Sequence, residues 1–147
     1  MPIKILIMGL PGAGKTTLAK LLGKKIKSIW LNADKIRKEF NDWDFSPEGR
    51  VRQATRMRNL ADEEIKNGNN VIADFICPTK KTRENFNADY VVWVNTIKTG
   101  RFDDTNSMFE KPLSFDLEIS SKDAEYWSKK IVKDLNNKFT KIDKTCI

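Results

Sequence analysis

The sequence predicts an α/β fold, a mainly parallel five-stranded sheet with helices on both faces. Three observations carry that prediction. Short apolar runs alternate with segments of helical periodicity along most of the chain, the pattern of strand–helix–strand units. Val71-Ile72-Ala73 and Tyr90-Val91-Val92-Trp93-Val94 are apolar at successive positions, as strands covered on both faces require. Between the first strand and the first helix stands Gly9-Leu10-Pro11-Gly12-Ala13-Gly14-Lys15-Thr16, which matches the pattern G-x-x-x-x-G-K-S/T at every position. Glycines in such a loop let backbone N–H groups converge on phosphate oxygens with no Cβ in the way. The helix start adds unpaired donors and a positive dipole end. Lys15 then reaches the β- and γ-phosphates, and the Thr16 hydroxyl ligates Mg²⁺. The stretch, with Thr17 continuing it, defines a P-loop NTPase fold that binds a nucleoside triphosphate.

Each element follows in order. Ile3 to Met8 is the first strand, and the first helix runs to about Lys27. Ser28 to Leu31 is a second strand, after which Asp34 caps a short helix from Lys35 to Phe40. Residues 41–45 form a loop; Ser46 as N-cap and Pro47 at the first helical position start the next helix. Val51, Ala54, Met57, Ala61 and Ile65 give it one buried face, and Gly68 suits its left-handed stop. Asp74 closes the strand Val71–Ala73; Thr79 to Asn87 is a short polar helix, and Tyr90–Val94 a buried strand. Asn95 to Lys111 has no periodicity and is expected to be a loop. Ser114 to Ile119 alternates as an edge strand does. A last helix, capped by Ser120 or Ser121, turns Ala124, Trp127, Ile131, Leu135 and Phe139 inward.

The 147 residues are expected to form one domain, 1–147, with a sizeable core. With 39% hydrophobic and 32% charged residues the chain is globular and not disordered. There is no histidine, which excludes Ser-His, Cys-His and His-metal mechanisms. The net charge of +7 suits an anionic small molecule, and serves a nucleic acid equally well. Many of the lysines lie near the C-terminus, where they read as the solvated face of the last helix. Cys77 and Cys146 have no metal-ligand spacing, and with the phosphate loop they point to a reducing, cytoplasmic setting. No segment has the length of a signal peptide or membrane span, and a homodimer is compatible with the chain.

The phosphate loop is shared by kinases, motors, GTPases and transporter ATPases. A short chain without insert domains or an Asn-Lys-x-Asp guanine signature favours a small-molecule kinase. The further motifs resemble the adenylylsulfate kinase family. Gly9 to Ala19 is similar to its G-L-x-G-A/S-G-K-S/T-T-x-A. Asn32-Ala33-Asp34-Lys35-Ile36-Arg37 resembles its D-G-D-N-x-R. Phe45-Ser46 with Arg50 and Arg56 resembles its G-F-S…D-R…R-R. Val71 to Pro78 is similar to V-I-x-A/S-F-I/V-S/A-P, and Phe109-Glu110-Lys111-Pro112 to Tyr-Glu-x-Pro. The resemblance spans residues 3 to 119. It implies ATP as donor and the ribose 3′-hydroxyl of adenosine 5′-phosphosulfate as acceptor. It implies that Asp34 is the base, that Arg37 and Arg50 hold the phosphosulfate, and that Phe45 and Phe75 sandwich the adenine beside Ile76-Cys77-Pro78. The chain departs from the family in a shorter lid, Thr96 to Asn106, in Gln53 for an asparagine, and in Asp74 for a small residue.

From the residues themselves, Asp34 is either a helix cap or, at a strand's carboxyl end, a catalytic carboxylate. Arg37 and Arg50 are surface charges or anion ligands, since arginine grips phosphate and sulfate bidentately. Arg52 and Arg56 read as solvated. Asp74 is a carboxylate holding Mg²⁺ through water, a helix cap, or a second base. Phe45 and Phe75 are core residues unless the family pattern holds, and Cys77 is an inert small residue. The run Lys98 to Asn106 is expected to be a lid, with Arg101 or Lys98 closing over the transferring phosphate. Two other readings stand beside the first: a kinase of another acceptor (nucleoside, nucleotide or polynucleotide end), and a non-catalytic ATP-binding regulatory module.

Overall fold

The structure is a computed structural model and describes residues 1–99 and 103–139. Arg101 and Cys146 lie outside the described residues. The order is β1 (Lys4–Met8), α1 (Lys15–Lys25), β2 (Ile29–Asn32), α2 (Ala33–Phe40), α3 (Pro47–Lys66), β3 (Val71–Asp74), α4 (Lys80–Phe86), β4 (Tyr90–Val94), α5 (Asp103–Met108), β5 (Leu117–Ile119) and α6 (Ala124–Lys138). The five strands lie in the order β2-β3-β1-β4-β5, and every pairing is parallel.

Strand alternation sorts the core into two layers. Ile5 and Ile7 of β1 face Leu18 and Leu22 of α1 and Ile131 and Leu135 of α6. Leu6 and Met8 face the other way, onto Ala54, Met57 and Ala61 of α3 and Phe86 of α4. The phosphate loop leaves the central strand. Gly9 is required there by a close approach, because a Cβ would sit 2.5 Å from the Val94 carbonyl oxygen. Gly12 and Gly14 hold left-handed φ of 88° and 105°, which a side chain would strain.

Several boundaries differ from expectation. The cap of α2 is Asn32, whose side chain accepts from the Lys35 N–H; Asp34 sits in the first turn instead. The cap of α6 is Asp123 rather than Ser120 or Ser121. The expected loop 95–111 contains α5, and the last strand occupies Leu117–Ile119 of the expected 114–119. Ser46 and Pro47 start α3 as expected, the Ser46 hydroxyl accepting from the Gly49 N–H. Gly68 has φ 89° just after that helix. Val51, expected in the core, is 58% exposed. Gln53 is buried in its place, reaching α2 where its amide donates to the Ala33 carbonyl.

Candidate active site

A cleft of about 680 Å³ opens at the carboxyl ends of β1, β2 and β3, the edge where ligands of such folds sit. It is lined at one end by the phosphate loop and Lys15, Thr16 and Thr17. Its other walls carry Asp34, Arg37, Phe45, Arg50, Asp74 and the run Phe75-Ile76-Cys77-Pro78. Separate stretches of the sequence thus converge on one site. Gly9, Leu10 and Ala13 belong to the loop but stand behind this surface, Leu10 and Ala13 being buried.

Lys15 donates from Nζ to the carbonyls of Gly9 at 2.8 Å and Leu10 at 3.0 Å. The ammonium is thereby folded into the curve of the loop. The N-terminus of α1 has no side-chain cap, so its first N–H groups face the cleft mouth as phosphate donors would. Thr96 braces the loop from β4's side, its hydroxyl donating to the Ala13 carbonyl at 2.7 Å.

Asp74 is 2% exposed at the end of β3. Burial raises its pKa, and hydrogen bonds from Trp30 and Asn32 and the charge of Lys15 work against that rise. The Thr16 hydroxyl lies 3.5 Å from its Oδ1. A hydroxyl and a carboxylate side by side are hard oxygen donors, the chemistry that Mg²⁺ takes when phosphates complete its shell. These residues therefore fit the ion. Among the described residues no group of three or more His, Cys, Asp or Glu forms a metal cage.

At the far end the loop 41–46 is tied down by charge. Asp42 accepts from Arg52 Nε at 2.8 Å and from Arg56 Nη2 at 2.8 Å. The Arg52 hydrogen bond first, then that of Arg56, holds its carboxyl far below the usual range. Arg52 and Arg56, expected to be merely solvated, are the anchors of this loop. Arg37 is 5% exposed and gives Nη1 to the carbonyls of Asp42 (2.9 Å) and Asp44 (3.2 Å); burial lowers its pKa, opposed first by Asp42. Phe45 is 47% exposed, with the Arg37 guanidinium 4.4 Å and that of Arg50 5.6 Å from its ring centroid. Phe75 borders the cleft too, yet it is largely core, packed edge-on against Phe86 at 5.3 Å. The Cys77 thiol is pushed up to about 12 by burial, which keeps it an unreactive thiol.

Trp43, Asn32 and Gln53 line the cleft and are not singled out by sequence reasoning as site residues. Gln53 spans α2 and α3, donating to the Ala33 carbonyl at 3.1 Å and accepting from Arg56 at 2.8 Å. Its replacement of an asparagine in the motif was the available signal. The lid expected at 98–106 falls partly outside the described residues; Lys98 is exposed.

The phosphate loop on the central strand of a parallel sheet, with an acidic strand end beside it, defines a P-loop NTPase fold. The sequence model of adenylylsulphate kinase matches residues 1–97, and the chain belongs to that family. It is an ATP-dependent phosphotransferase. Among solved structures, the APS kinase CysC of Mycobacterium tuberculosis, in complex with AMPPNP and APS, aligns with TM-score 0.78 at 20% identity, covering 92% of this chain and 99% of that one. The hexameric APS kinase of Thiobacillus denitrificans gives 0.75 at 23%, covering 92% of this chain and 29% of that one. The shikimate kinase of Acinetobacter baumannii, in complex with shikimate, gives 0.60 at 18%, covering 96% and 97%. No curated protein matches the chain. Among the described residues no helix is long and apolar enough to cross a membrane.

Proposed function

We propose that the protein transfers the γ-phosphoryl group of ATP to the ribose 3′-hydroxyl of adenosine 5′-phosphosulfate, residues 1–147 acting as one kinase domain. The observation that carries this reading is the cleft itself. One continuous surface joins Lys15 and Thr16 to Asp34 and then to Arg37, Phe45 and Arg50. A triphosphate occupies the first end. An anionic, aromatic acceptor occupies the second, its ring against Phe45 and its sulfate or phosphate oxygens on the guanidinium of Arg50. Phe75, Ile76, Cys77 and Pro78 border the base, with Phe75 offering an edge.

The acceptor hydroxyl oxygen forms a bond to the γ-phosphorus, the bond from that phosphorus to the β,γ-bridging oxygen breaks, and ADP leaves. The hydroxyl proton goes to the Asp34 carboxylate, which stands exposed in the first turn of α2. Lys15 exchanges its carbonyl partners for β- and γ-phosphate oxygens and follows the charge that develops there. Thr16 and Asp74 would hold Mg²⁺, which neutralises phosphate charge when bound.

The test is incubation with ATP, Mg²⁺ and adenosine 5′-phosphosulfate. The expected products are ADP and the 3′-phosphorylated compound, identified by mass and by its 3′-nuclease sensitivity. Transfer to a nucleoside, nucleotide or polynucleotide end in its place would overturn the acceptor and keep the kinase. Tight ATP binding with no transfer to any acceptor would overturn both.

A further inference from the structure

Trp30 stands on the edge strand β2 and is 37% exposed, yet its single polar atom is turned inward. The indole Nε1 donates to Asp74 Oδ2 at 2.6 Å. Two residues on, the Asn32 amide donates to both oxygens of the same carboxylate, each at 3.2 Å. It also lies 3.3 Å from the Thr16 hydroxyl.

The backbone explains why these groups meet. Residues two apart on a strand share a face, so Trp30 and Asn32 point the same way. The parallel register pairs Trp30 with Ile72 and Asn32 with Asp74. Asn32 therefore lies directly beside the carboxylate, and the long indole reaches it along the diagonal. An indole N–H is only ever a donor, and so is an amide nitrogen. Together they leave Asp74 the role of acceptor and fix the plane of its carboxyl group. Oδ1 is held toward Thr16 while Oδ2 is anchored from the strand edge. The Asn32 carbonyl oxygen meanwhile caps α2 at Lys35 N, 3.0 Å away, which ties this bracket to the helix bearing Asp34.

In this chain the acid stands on β3 and the amide on β2, across one rung. A carboxylate so placed is buried, and needs donors from the neighbouring strand.

Resting on the reading of Thr16 and Asp74 as the metal-supporting pair, we infer that Trp30, with Asn32, is the positioning residue for Asp74. Its indole N–H sets the orientation in which the carboxylate meets a divalent cation beside the phosphate loop. Trp30 touches neither nucleotide nor acceptor in this role; it acts through Asp74.

The experiment is a Mg²⁺ titration of the binding of a non-hydrolysable ATP analogue, followed by calorimetry. Trp30→Phe keeps the ring and removes only the donor. Its Mg²⁺-free affinity for the analogue should match the wild type. The Mg²⁺ concentration for half-maximal enhancement should rise about tenfold or more, the scale seen when a partner that orients a metal ligand is lost. Asp74→Asn is the benchmark and should lose most of the enhancement. If Asp74→Asn is impaired while Trp30→Phe follows the wild-type Mg²⁺ curve, this inference is wrong and the metal reading stands. If Asp74→Asn itself leaves the curve unmoved, the metal reading fails and takes the inference with it. Should Trp30→Phe not fold, the native indole serves instead. In a Trp43→Phe protein, which lacks the indole that lines the cleft, adding Mg²⁺ to the analogue complex should change tryptophan emission through Trp30 on Asp74, and Asp74→Asn should abolish the change. Unchanged emission on adding Mg²⁺ would overturn the inference.

Discussion

Arg37 and Arg50 carry the same charge and border the same cleft, but their surroundings divide the work. Arg37 is buried and spends its Nη1 on two backbone carbonyls of the loop beneath Phe45. Removing it leaves both carbonyls without that donor, a loss of about 1.5–3 kcal/mol for a charged hydrogen-bonding group. Arg37→Ala should therefore lower the melting temperature first, and the acceptor constants only as a consequence. Arg50 is half-buried and gives its Nε to the Phe45 carbonyl at 2.9 Å. Arg50→Ala should raise the acceptor KM roughly tenfold to a hundredfold with the KM for ATP unchanged. A stable Arg37→Ala protein with the larger acceptor defect would reverse the assignment. Asp34→Asn keeps shape and one hydrogen bond but cannot take a proton. Its kcat should fall about a hundredfold or more, with ATP binding intact; a kcat near the wild-type value would remove Asp34 as the base. At this scale legibility follows sequence distance. Lys15 and the loop glycines can be read because their backbone requirement is local. Trp30 and Thr96 cannot, since their partners lie 44 and 83 positions away.

Between α2 and α3 the loop 41–46 is fastened by Asp42, and the fastening depends on pH in a definite direction. Its folded pKa is depressed by the Arg52 and Arg56 hydrogen bonds. A depressed carboxylate contributes stability that is complete above the unfolded pKa of about 3.9 and is lost as pH falls through the folded value. The stability difference between wild type and Asp42→Asn should be flat above about pH 5 and shrink below about pH 4. Chemical denaturation across that range checks it. Because the pair is solvent-accessible, added salt should narrow the gap as well. A gap that widens on acidification would show that Asp42 is not the anchor. Helix α3 also approaches this loop closely, a Cβ on Gly49 falling 2.2 Å from the Asp44 carbonyl oxygen. Helix starts were readable where a single residue decides them, as Ser46-Pro47 does. They were misread where neighbouring residues compete to cap, as with Asn32 against Asp34, or Asp123 against Ser120 and Ser121. The six-residue α5 is too short for periodicity to announce it.

The sheet order β2-β3-β1-β4-β5 puts the phosphate loop on the central strand, with both core layers packed against it. Alternation of strands and helices foretold a parallel sheet, but not the order, which is set by crossovers that no local pattern records. That placement has a thermodynamic consequence. A ligand gripped by the loop touches β1 and α1 at once, so it cannot stay bound while the central unit unfolds. Ligand that binds only the folded state adds RT ln(1 + [L]/Kd), about 2.7 kcal/mol at a hundredfold excess over Kd. For a domain of this size each kcal/mol is roughly 2–4 °C, so an ATP analogue with Mg²⁺ at that concentration should raise the melting temperature by about 5–10 °C. Without ligand Lys15→Ala should fold but melt below the wild-type temperature, because the Gly9 and Leu10 carbonyls lose the donor that joins them; the ligand effect is read from that lower baseline. At the same analogue concentration its shift should fall to about 2 °C or less, as a hundredfold weaker Kd requires. A full shift in Lys15→Ala would mean that the nucleotide is held elsewhere than on this loop.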